Sequence, residues 1–194
     1  AVVSTVAVGA AKQLVAYVVP RSEEGEGTLA TAEERRRFLL EQRGVRRDLH
    51  GSRIVLERDS AEHVALSAMP AAATNAPLTL AALGAALAPL AALVRDDLPV
   101  PKRFYPSAGS LYPVQTYVSL GDAAIESIEA GCYYHDPLAH ALVRVGEAIG
   151  VSGVCVEFVA DLAAIAPMYG EAAADQAAIE AGHMRELVVA AGAA

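Results

Sequence analysis

The residues best suited to hold a ligand lie in one short stretch, residues 105–113, with the sequence YPSAGSLYP. Ser107 can donate or accept a hydrogen bond, whereas Ala108 and Gly109 leave the backbone nearly free of side-chain bulk. A proline on each side of this turn restricts the chain. Main-chain amides in such a turn can approach a flat, hydrogen-bonding ring, so the stretch predicts a ligand site. A plain turn before a strand is the alternative that these residues leave open.

Other kinds of site lack their usual patterns. The sequence has no Walker loop, GxGxxG, HExxH or CxxC pair, so phosphate-loop, dinucleotide and structural zinc sites have no signature. The serine-hydrolase pattern GxSxG is also absent. The two cysteines, Cys132 and Cys155, have no partner at metal spacing, and we expect no metal site. We interpret them as small buried residues in a reducing compartment, the cytoplasm.

The composition indicates one globular domain of ordinary size. Of the 194 residues, 54% are hydrophobic and 20% are charged, which is far from the composition of disordered chains. The net charge of -8 argues against a nucleic-acid partner. Residues 78–94 are the only membrane candidate, but the run is short for a span and contains Gly84 and Pro89. We therefore expect a buried core helix and no membrane partner.

Positive charge is distributed unevenly along the chain. Eight arginines lie between residues 35 and 58, whereas the residues after Phe104 contribute only Arg144 and Arg185. An anionic ligand would therefore draw its counter-charge from the first half of the chain. For most of these arginines we interpret the pattern as a solvated helix face.

Periodicity and turn residues predict an α+β fold in which helices are interleaved with hairpin-type strands. A β-rich run at 12–19 is followed by polar, glycine-containing residues, and we expect a boundary at 21–28. Thr31 and Glu34 have the spacing of a capping box, which starts a helix that ends near Gln42. The other expected elements are strands at 52–56, 114–120 and 154–160, a loop at 70–77, helices at 79–94, 122–129 and 171–191, and a hairpin at 132–145.

Four separated stretches occur in an order that is typical of one known family. They are KRFYPSAGSLYP at 102–113, GCYYHDPLAHALVRV at 131–145, PMYG at 167–170 and IEAGHM at 179–184. Together they resemble the SagB/McbC-type oxidases of the nitroreductase superfamily, which use FMN. The resemblance implies a nitroreductase-like fold, with a central, mostly antiparallel sheet flanked by helices. It also implies a homodimer, because such folds build their flavin sites at a subunit interface.

The resemblance extends toward the N-terminus. Residues 33–51 are similar to the leader that precedes such oxidase domains in nonribosomal peptide synthetases, and residues 76–90 are similar to their first core helix. Residues 1–20 resemble the end of the small subdomain of an adenylation domain, where oxidase domains are inserted in thiazole-forming synthetases. The implied organisation is an adenylation-domain end at 1–20, a linker at 21–30 and an oxidase domain at 31–194.

The resemblance implies FMN-dependent oxidation of a thiazoline or oxazoline, tethered to a peptidyl carrier protein, to the aromatic azole. The adjoining adenylation domain would be a second partner. In related azoline oxidases a Lys-Tyr pair removes a proton, and PMYG keeps the tyrosine, Tyr169, with Met168 before it. Tyr169 is therefore the expected base, and a plain aromatic loop residue is the alternative. The expected FMN-binding residues are Arg103, Ser107, Ala108, Gly109, Ser110 and Leu111.

One departure from the family keeps a second function open. The family carries an Arg-x-Ser-x-Arg run that holds the FMN phosphate, whereas this chain has HVALSAMPAAATNAPL at 63–78. No cation lies between His63 and Arg95, so the phosphate would need Arg103 or an arginine of a partner chain. The alternative is a degenerate, flavin-free domain with a structural or docking role. A nitro- or quinone reductase that uses NAD(P)H is a third hypothesis.

Several polar and aromatic residues have two interpretations. Glu180, His183 and Arg185 would either line a pocket or lie on the polar face of the last helix, and the second arrangement is commoner. His135 and His140 flank the hairpin turn, and we expect both at the surface. The tyrosines expected to serve packing rather than catalysis are Tyr112, Tyr133 and Tyr134.

Overall fold

The fold is described from a computed structural model of the chain. It describes residues 29–41, 43–57, 78–148 and 150–192, and the backbone of residues 2–8 and 11–17. The strands are β1 Val2–Val8, β2 Ala11–Tyr17, β3 Arg53–Val55, β4 Val114–Leu120, β5 Gly131–Asp136, β6 Ala141–Gly146 and β7 Val154–Ala160. The helices are α1 Ala32–Glu41, α2 Leu80–Leu87, α3 Ala166–Tyr169 and α4 Ala173–Gly192.

Within the described residues, five strands form an antiparallel sheet in the order β3-β6-β5-β4-β7. The interior strand β4 has the sequence VQTYVSL, and its β-branched and aromatic side chains favour the buried surface of a sheet. The turn between β5 and β6 forms around Asp136, whose Oδ1 accepts hydrogen bonds from the N–H groups of Leu138 and Ala139. The prediction of an α+β fold with a central antiparallel sheet flanked by helices is confirmed.

The helices α2 and α4 pack on the sheet and on each other. Leu87 of α2 and Met184 of α4 are fully buried and join the core that Val118 of β4 and Phe158 of β7 form on the sheet. Full burial of such a side chain contributes roughly 1.5–3 kcal/mol to folding. This packing holds α4 across the start of β4, which is the end of the sheet that follows the 105–113 stretch.

The two predicted helix starts have the expected side-chain caps. At α1, the Oγ1 of Thr31 accepts a hydrogen bond from the N–H of Glu34 at 3.1 Å, and the Glu34 carboxylate accepts one from the N–H of Thr31 at 2.8 Å. At α2, the Oγ1 of Thr79 accepts a hydrogen bond from the N–H of Ala82 at 3.1 Å. These local hydrogen bonds satisfy backbone groups that a helix start leaves unpaired.

Two helix predictions are wrong. The helix predicted to run to Val94 ends at Leu87 and passes into a 3-10 turn, because Pro89 has no N–H to donate to the preceding turn. The helix predicted at 122–129 is a series of turns, in which Ala123 and the later Ser127 have positive φ angles that a helix does not contain. The remaining predicted strands and the C-terminal helix are present.

The hairpin end of the sheet is covered, so the prediction of surface positions for His135 and His140 is wrong. Both side chains are 2% exposed, and their Nε2 and Nδ1 atoms lie 3.0 Å apart. Residues from distant parts of the chain cover the turn, since the Leu56 N–H donates to the His140 carbonyl and the Ala92 N–H donates to the Pro137 carbonyl. Burial lowers the pKa of His135 well below its ordinary range.

The N-terminal strands β1 and β2 pair with each other as an antiparallel hairpin, which accords with the β-rich run predicted at 12–19. The expected boundary at 21–28 and the expected loop at 70–77 lie outside the described residues. Both cysteines are free; Cys155 is buried, as expected, and Cys132 is partly exposed. Among the helices of the described part of the chain, none has the length and apolar character needed to cross a membrane.

Candidate functional site

Residues 107–111, which we call the glycine turn, adopt an unusual backbone conformation. Gly109 and Ser110 have φ angles of 60° and 56°, and Tyr112, which follows the turn, has a φ of 51°. Left-handed conformations are strained for residues other than glycine, and such strain is frequent at ligand sites. The Oγ of Ser107 holds the turn closed by accepting a hydrogen bond from the N–H of Tyr112 at 2.8 Å. The predicted turn is therefore present and has a fixed shape.

Gly44 supports the glycine turn from below. A Cβ built on Gly44 would lie 2.2 Å from the carbonyl oxygen of Tyr112, so only glycine allows this close approach. The carbonyl of Gly44 accepts a hydrogen bond from the Nε2 of Gln115 at 2.6 Å. Gln115 in turn accepts a hydrogen bond from the hydroxyl of Tyr134 at 2.9 Å, and burial raises the pKa of Tyr134 to about 12. These contacts tie the turn to two central strands of the sheet.

Two cations lie beside the glycine turn. Arg103, which the sequence predicts as an FMN-binding residue, places its guanidinium 4.7 Å from the centre of the Tyr112 ring and donates a hydrogen bond to the hydroxyl of Tyr105. Lys102 donates a hydrogen bond from its Nζ to the Oγ of Ser110 at 2.7 Å. Sequence reasoning did not select Lys102 as a site residue. Its position next to Arg103, immediately before the turn, was the signal available.

Tyr169, the predicted base, lies against the glycine turn. It ends the short helix α3, and a Cβ built on Gly109 would lie 3.2 Å from the Tyr169 hydroxyl and 3.1 Å from the Sδ of Met168. The structure thus brings together two regions that are far apart in the sequence, the glycine turn and the PMYG motif. The predicted base therefore lies next to the backbone that is predicted to bind the ring.

Glu180 lies beneath the same turn. It is 1% exposed, and its Oε1 accepts a hydrogen bond from the N–H of Val114 at 3.2 Å. Burial raises the pKa of Glu180 to about 7, against the opposing effects of the Ser107 hydroxyl, the Val114 N–H and the charge of Arg103. Of the three polar residues considered on the last helix, Glu180 is buried beneath the turn. His183 is exposed, and Arg185 contacts its neighbour Glu186.

The arginines of the first half make mostly surface contacts where they are described. Arg46 pairs with Asp48 and also donates to the hydroxyl of Tyr117, and Arg53 pairs with Asp136 at 2.8 Å. A pair as exposed as Arg46 and Asp48 contributes at most about 1 kcal/mol, whereas Asp136 in the second pair is largely buried. The predicted solvated helix face fits Arg35, Arg36 and Arg37, which are exposed on α1, whereas Arg46 and Arg53 lie outside that helix. The stretch 63–78, in which the family's phosphate-binding arginines would fall, lies almost wholly outside the described residues.

Comparison of the sequence with known proteins gives two relatives of the same name. The chain is 35% identical over 109 residues to indigoidine synthase of Dickeya dadantii (strain 3937). The aligned region covers 55% of this chain and 7% of that protein. It is 32% identical over 111 residues to indigoidine synthase of Streptomyces lavendulae. That aligned region covers 56% of this chain and 8% of the synthase. The match thus spans less than a tenth of the length of these relatives. No family model matches the chain.

Comparison with solved structures gives two further similar proteins. One is a structure described as a putative nitroreductase from Ralstonia eutropha JMP134, which is 19% identical with a TM-score of 0.49. The superposed region covers 100% of this chain and 80% of the nitroreductase chain. The other is a chain of the Escherichia coli microcin synthetase McbBCD complex with truncated pro-MccB17 bound, which is 16% identical with a TM-score of 0.48. The superposed region covers 90% of this chain and 62% of that chain.

Proposed function

We propose that the chain is an FMN-dependent oxidase unit that converts a carrier-bound thiazoline or oxazoline into the aromatic azole in nonribosomal peptide biosynthesis. The observation that carries this proposal is the position of the Tyr169 hydroxyl beside Gly109 in the glycine turn. Two motifs that were assigned separate roles in one reaction meet at one place. The indigoidine synthases, of which the chain matches less than a tenth, favour a role as one unit of a larger biosynthetic protein.

The residues around the glycine turn suit FMN. Gly109 is exposed, so a flat ring can reach its backbone from the solvent side, whereas Met168 and Tyr169 occupy the side on which a Cβ would stand. The donors that match ring carbonyls and a phosphate include the hydroxyl of Ser107 and the ammonium of Lys102, whereas the N–H groups of Ser110 and Leu111 already donate within the turn. When bound, FMN would supply a two-electron acceptor for the hydride of the azoline ring. The residues proposed to hold it are Arg103, Ser107, Ala108, Gly109, Ser110 and Leu111.

Tyr169 is the residue proposed to take the proton from the ring carbon next to the carbonyl. Its side chain is half-buried, and α3 ends directly after it at Gly170, which has a φ of 54°. Loss of this proton and of a hydride from the neighbouring ring carbon leaves the aromatic azole, with molecular oxygen as the final electron acceptor. A base held within reach of the reacting carbon contributes about 10²–10⁴-fold to such a reaction.

The proposed partners are a second copy of the chain, a peptidyl carrier protein and the adjoining adenylation domain. Phe104, directly before the 105–113 stretch, is 42% exposed, and Val94 is 66% exposed. A second subunit would cover such apolar side chains at the edge of the site.

The test combines cofactor analysis with an assay of the reaction. We expect the purified chain to be yellow, to release FMN on denaturation and to form thiazole from a thiazoline-loaded carrier protein. The variant Tyr169→Phe should keep FMN but lose thiazole formation by about 100-fold or more. Tyr117→Phe, which removes a hydroxyl bonded only to Arg46 in the described structure, is the matched control and should stay active. A colourless protein that rejects added FMN would contradict the proposal.

A flavin-free docking role is the second candidate, and the environment of Arg103 favours it. The guanidinium proposed for the phosphate is already engaged with the rings of Tyr105 and Tyr112. A ligand phosphate would have to compete with these contacts.

If FMN does bind, failure of NADPH to bleach it would separate the oxidase from an NAD(P)H-dependent reductase.

A further inference from the structure

Glu180 is a buried acid that the proposed reaction does not use. Its Oε1 accepts the N–H of Val114, the first residue of β4, at 3.2 Å. Its Oε2 is also buried and makes no hydrogen bond of normal geometry within the described residues. An ionised carboxylate in this position is costly because half of its hydrogen-bonding capacity is unused. The site therefore favours a proton on Glu180.

The Ser107 hydroxyl is a polar group that interacts with the Glu180 carboxyl. Burial raises the pKa of Glu180 to about 7, and hydrogen bonding by Ser107 is the largest effect that opposes the rise. The Oγ of Ser107 already accepts the N–H of Tyr112 at 2.8 Å. A hydroxyl has a single hydrogen to donate. That hydrogen is therefore given either to Glu180 or to an acceptor outside the turn.

Among the described residues, the other charged and titratable groups that interact with Glu180 come from one segment. Arg103 lowers the pKa of Glu180 through its charge, and the charge of Glu180 raises the pKa of the buried Tyr105. Both lie directly before the glycine turn. Helix α2, which packs on α4, has the sequence LAALGAAL and contributes no titratable side chain.

We propose that Glu180 is a positioning residue whose protonation state decides whether the Ser107 hydroxyl points inward to the carboxylate or outward to an acceptor bound on the glycine turn. When Glu180 is ionised, the Ser107 hydrogen is held by the carboxylate. When Glu180 is protonated, its own O–H can donate to the Ser107 Oγ, which frees the serine hydrogen for a ligand.

The proposal rests on the proposed function for the identity of the ligand, a flavin ring with carbonyl acceptors. Binding of such a ring should be tighter below pH 7 than above it. One hydrogen bond to a neutral acceptor corresponds to a change of roughly three- to ten-fold in affinity. Glutamine at position 180 can donate to Ser107 at every pH, so Glu180→Gln should show the tighter affinity throughout.

Riboflavin is the probe, because it lacks the phosphate whose own titration near about pH 6 would overlap. We expect its affinity for the full chain, measured by fluorescence quenching from pH 5.5 to 8.5, to fall roughly three- to ten-fold across neutral pH. Glu180→Gln and Ser107→Ala should each give a flat profile. Glu171→Gln, an exposed acid, should keep the wild-type profile. A wild-type profile in either Glu180→Gln or Ser107→Ala would overturn the proposal.

A second measurement needs no flavin. The Tyr112 amide donates to the Ser107 Oγ, so its ¹H–¹⁵N resonance reports the state of that hydroxyl. In the flavin-free protein we expect this resonance to titrate near neutral pH, and to stay fixed in folded Glu180→Gln. A fixed wild-type resonance would overturn the coupling of Glu180 to Ser107. A titrating resonance in a protein that binds neither riboflavin nor FMN would support that coupling and refute the proposed function instead.

Discussion

Replacing Glu180 by glutamine should change how the stability of the fold depends on pH. Glu180 is 1% exposed, and burial raises its pKa from an ordinary value of 4.5 to about 7. Between these two values the folded chain holds a proton that the unfolded chain has released. The stability that this proton contributes is complete below about pH 4.5 and is lost as the pH rises through about 7.

The magnitude follows from the size of the pKa change. Each pKa unit corresponds to about 1.4 kcal/mol, so raising the pH from about 5 to about 8 should remove roughly 2–3 kcal/mol of the free energy of unfolding. Glutamine has nearly the same shape and can accept the Val114 N–H, but it does not titrate. The stability of Glu180→Gln should therefore not fall over this pH range. The free energy of unfolding of the variant minus that of wild type should be roughly 2–3 kcal/mol larger at the higher pH than at the lower.

Urea denaturation followed by circular dichroism at several pH values measures this difference. The lowered pKa of His135 has the opposite effect on stability, because acid protonates this histidine in the unfolded chain before it does so in the folded chain. This effect is the same in wild type and in Glu180→Gln, so it cancels when the two proteins are compared. Glu171→Gln is the control, since the residue is exposed and its profile should match that of wild type. Parallel profiles for wild type and Glu180→Gln would refute the argument that burial holds a proton on this side chain.

Two further predictions concern packing and capping. Gly44→Ala should lower the free energy of unfolding by roughly 1–3 kcal/mol, because its Cβ would lie 2.2 Å from the Tyr112 carbonyl oxygen. Gly146→Ala, whose Cβ would meet no atom within 4 Å, is the matched control, and an equal loss in both variants in urea denaturation would contradict the explanation. Thr79→Ala should cost about 1 kcal/mol through loss of the α2 cap, and Thr79→Ser should restore it. Equal thermal midpoints for Thr79→Ala and wild type would show that the cap contributes nothing.

The strands and helix starts could be predicted because their causes are local. The composition of β4 and the spacing of Thr31 and Glu34 each specify a structure from a few neighbouring residues. The end of α2 depended on the weight given to Pro89 within an otherwise helical run. The turns at 122–129 were missed because residues with helical propensity adopt positive φ angles there, which no pattern in the segment specifies.

The candidate site was only partly predictable from the sequence. The glycine turn and Tyr169 were selected from motifs, and the structure places them together. Lys102 was not selected, and for Glu180 the sequence left a pocket and the polar face of the helix both open, since the importance of each residue depends on which side chains face the turn. Surface positions were expected for His135 and His140, but distant segments bury both.

The sequence by itself determined where the chain must bend, where its helices begin and which stretch has a backbone with little side-chain bulk around it. It did so because glycine, proline and capping side chains act on atoms a few residues away. Only the tertiary structure decided that the Tyr169 hydroxyl lies beside Gly109 and that Glu180 is buried beneath Ser107. Burial and proximity arise from the packing of α3 and α4 against segments that are distant in the chain, and no local pattern encodes them.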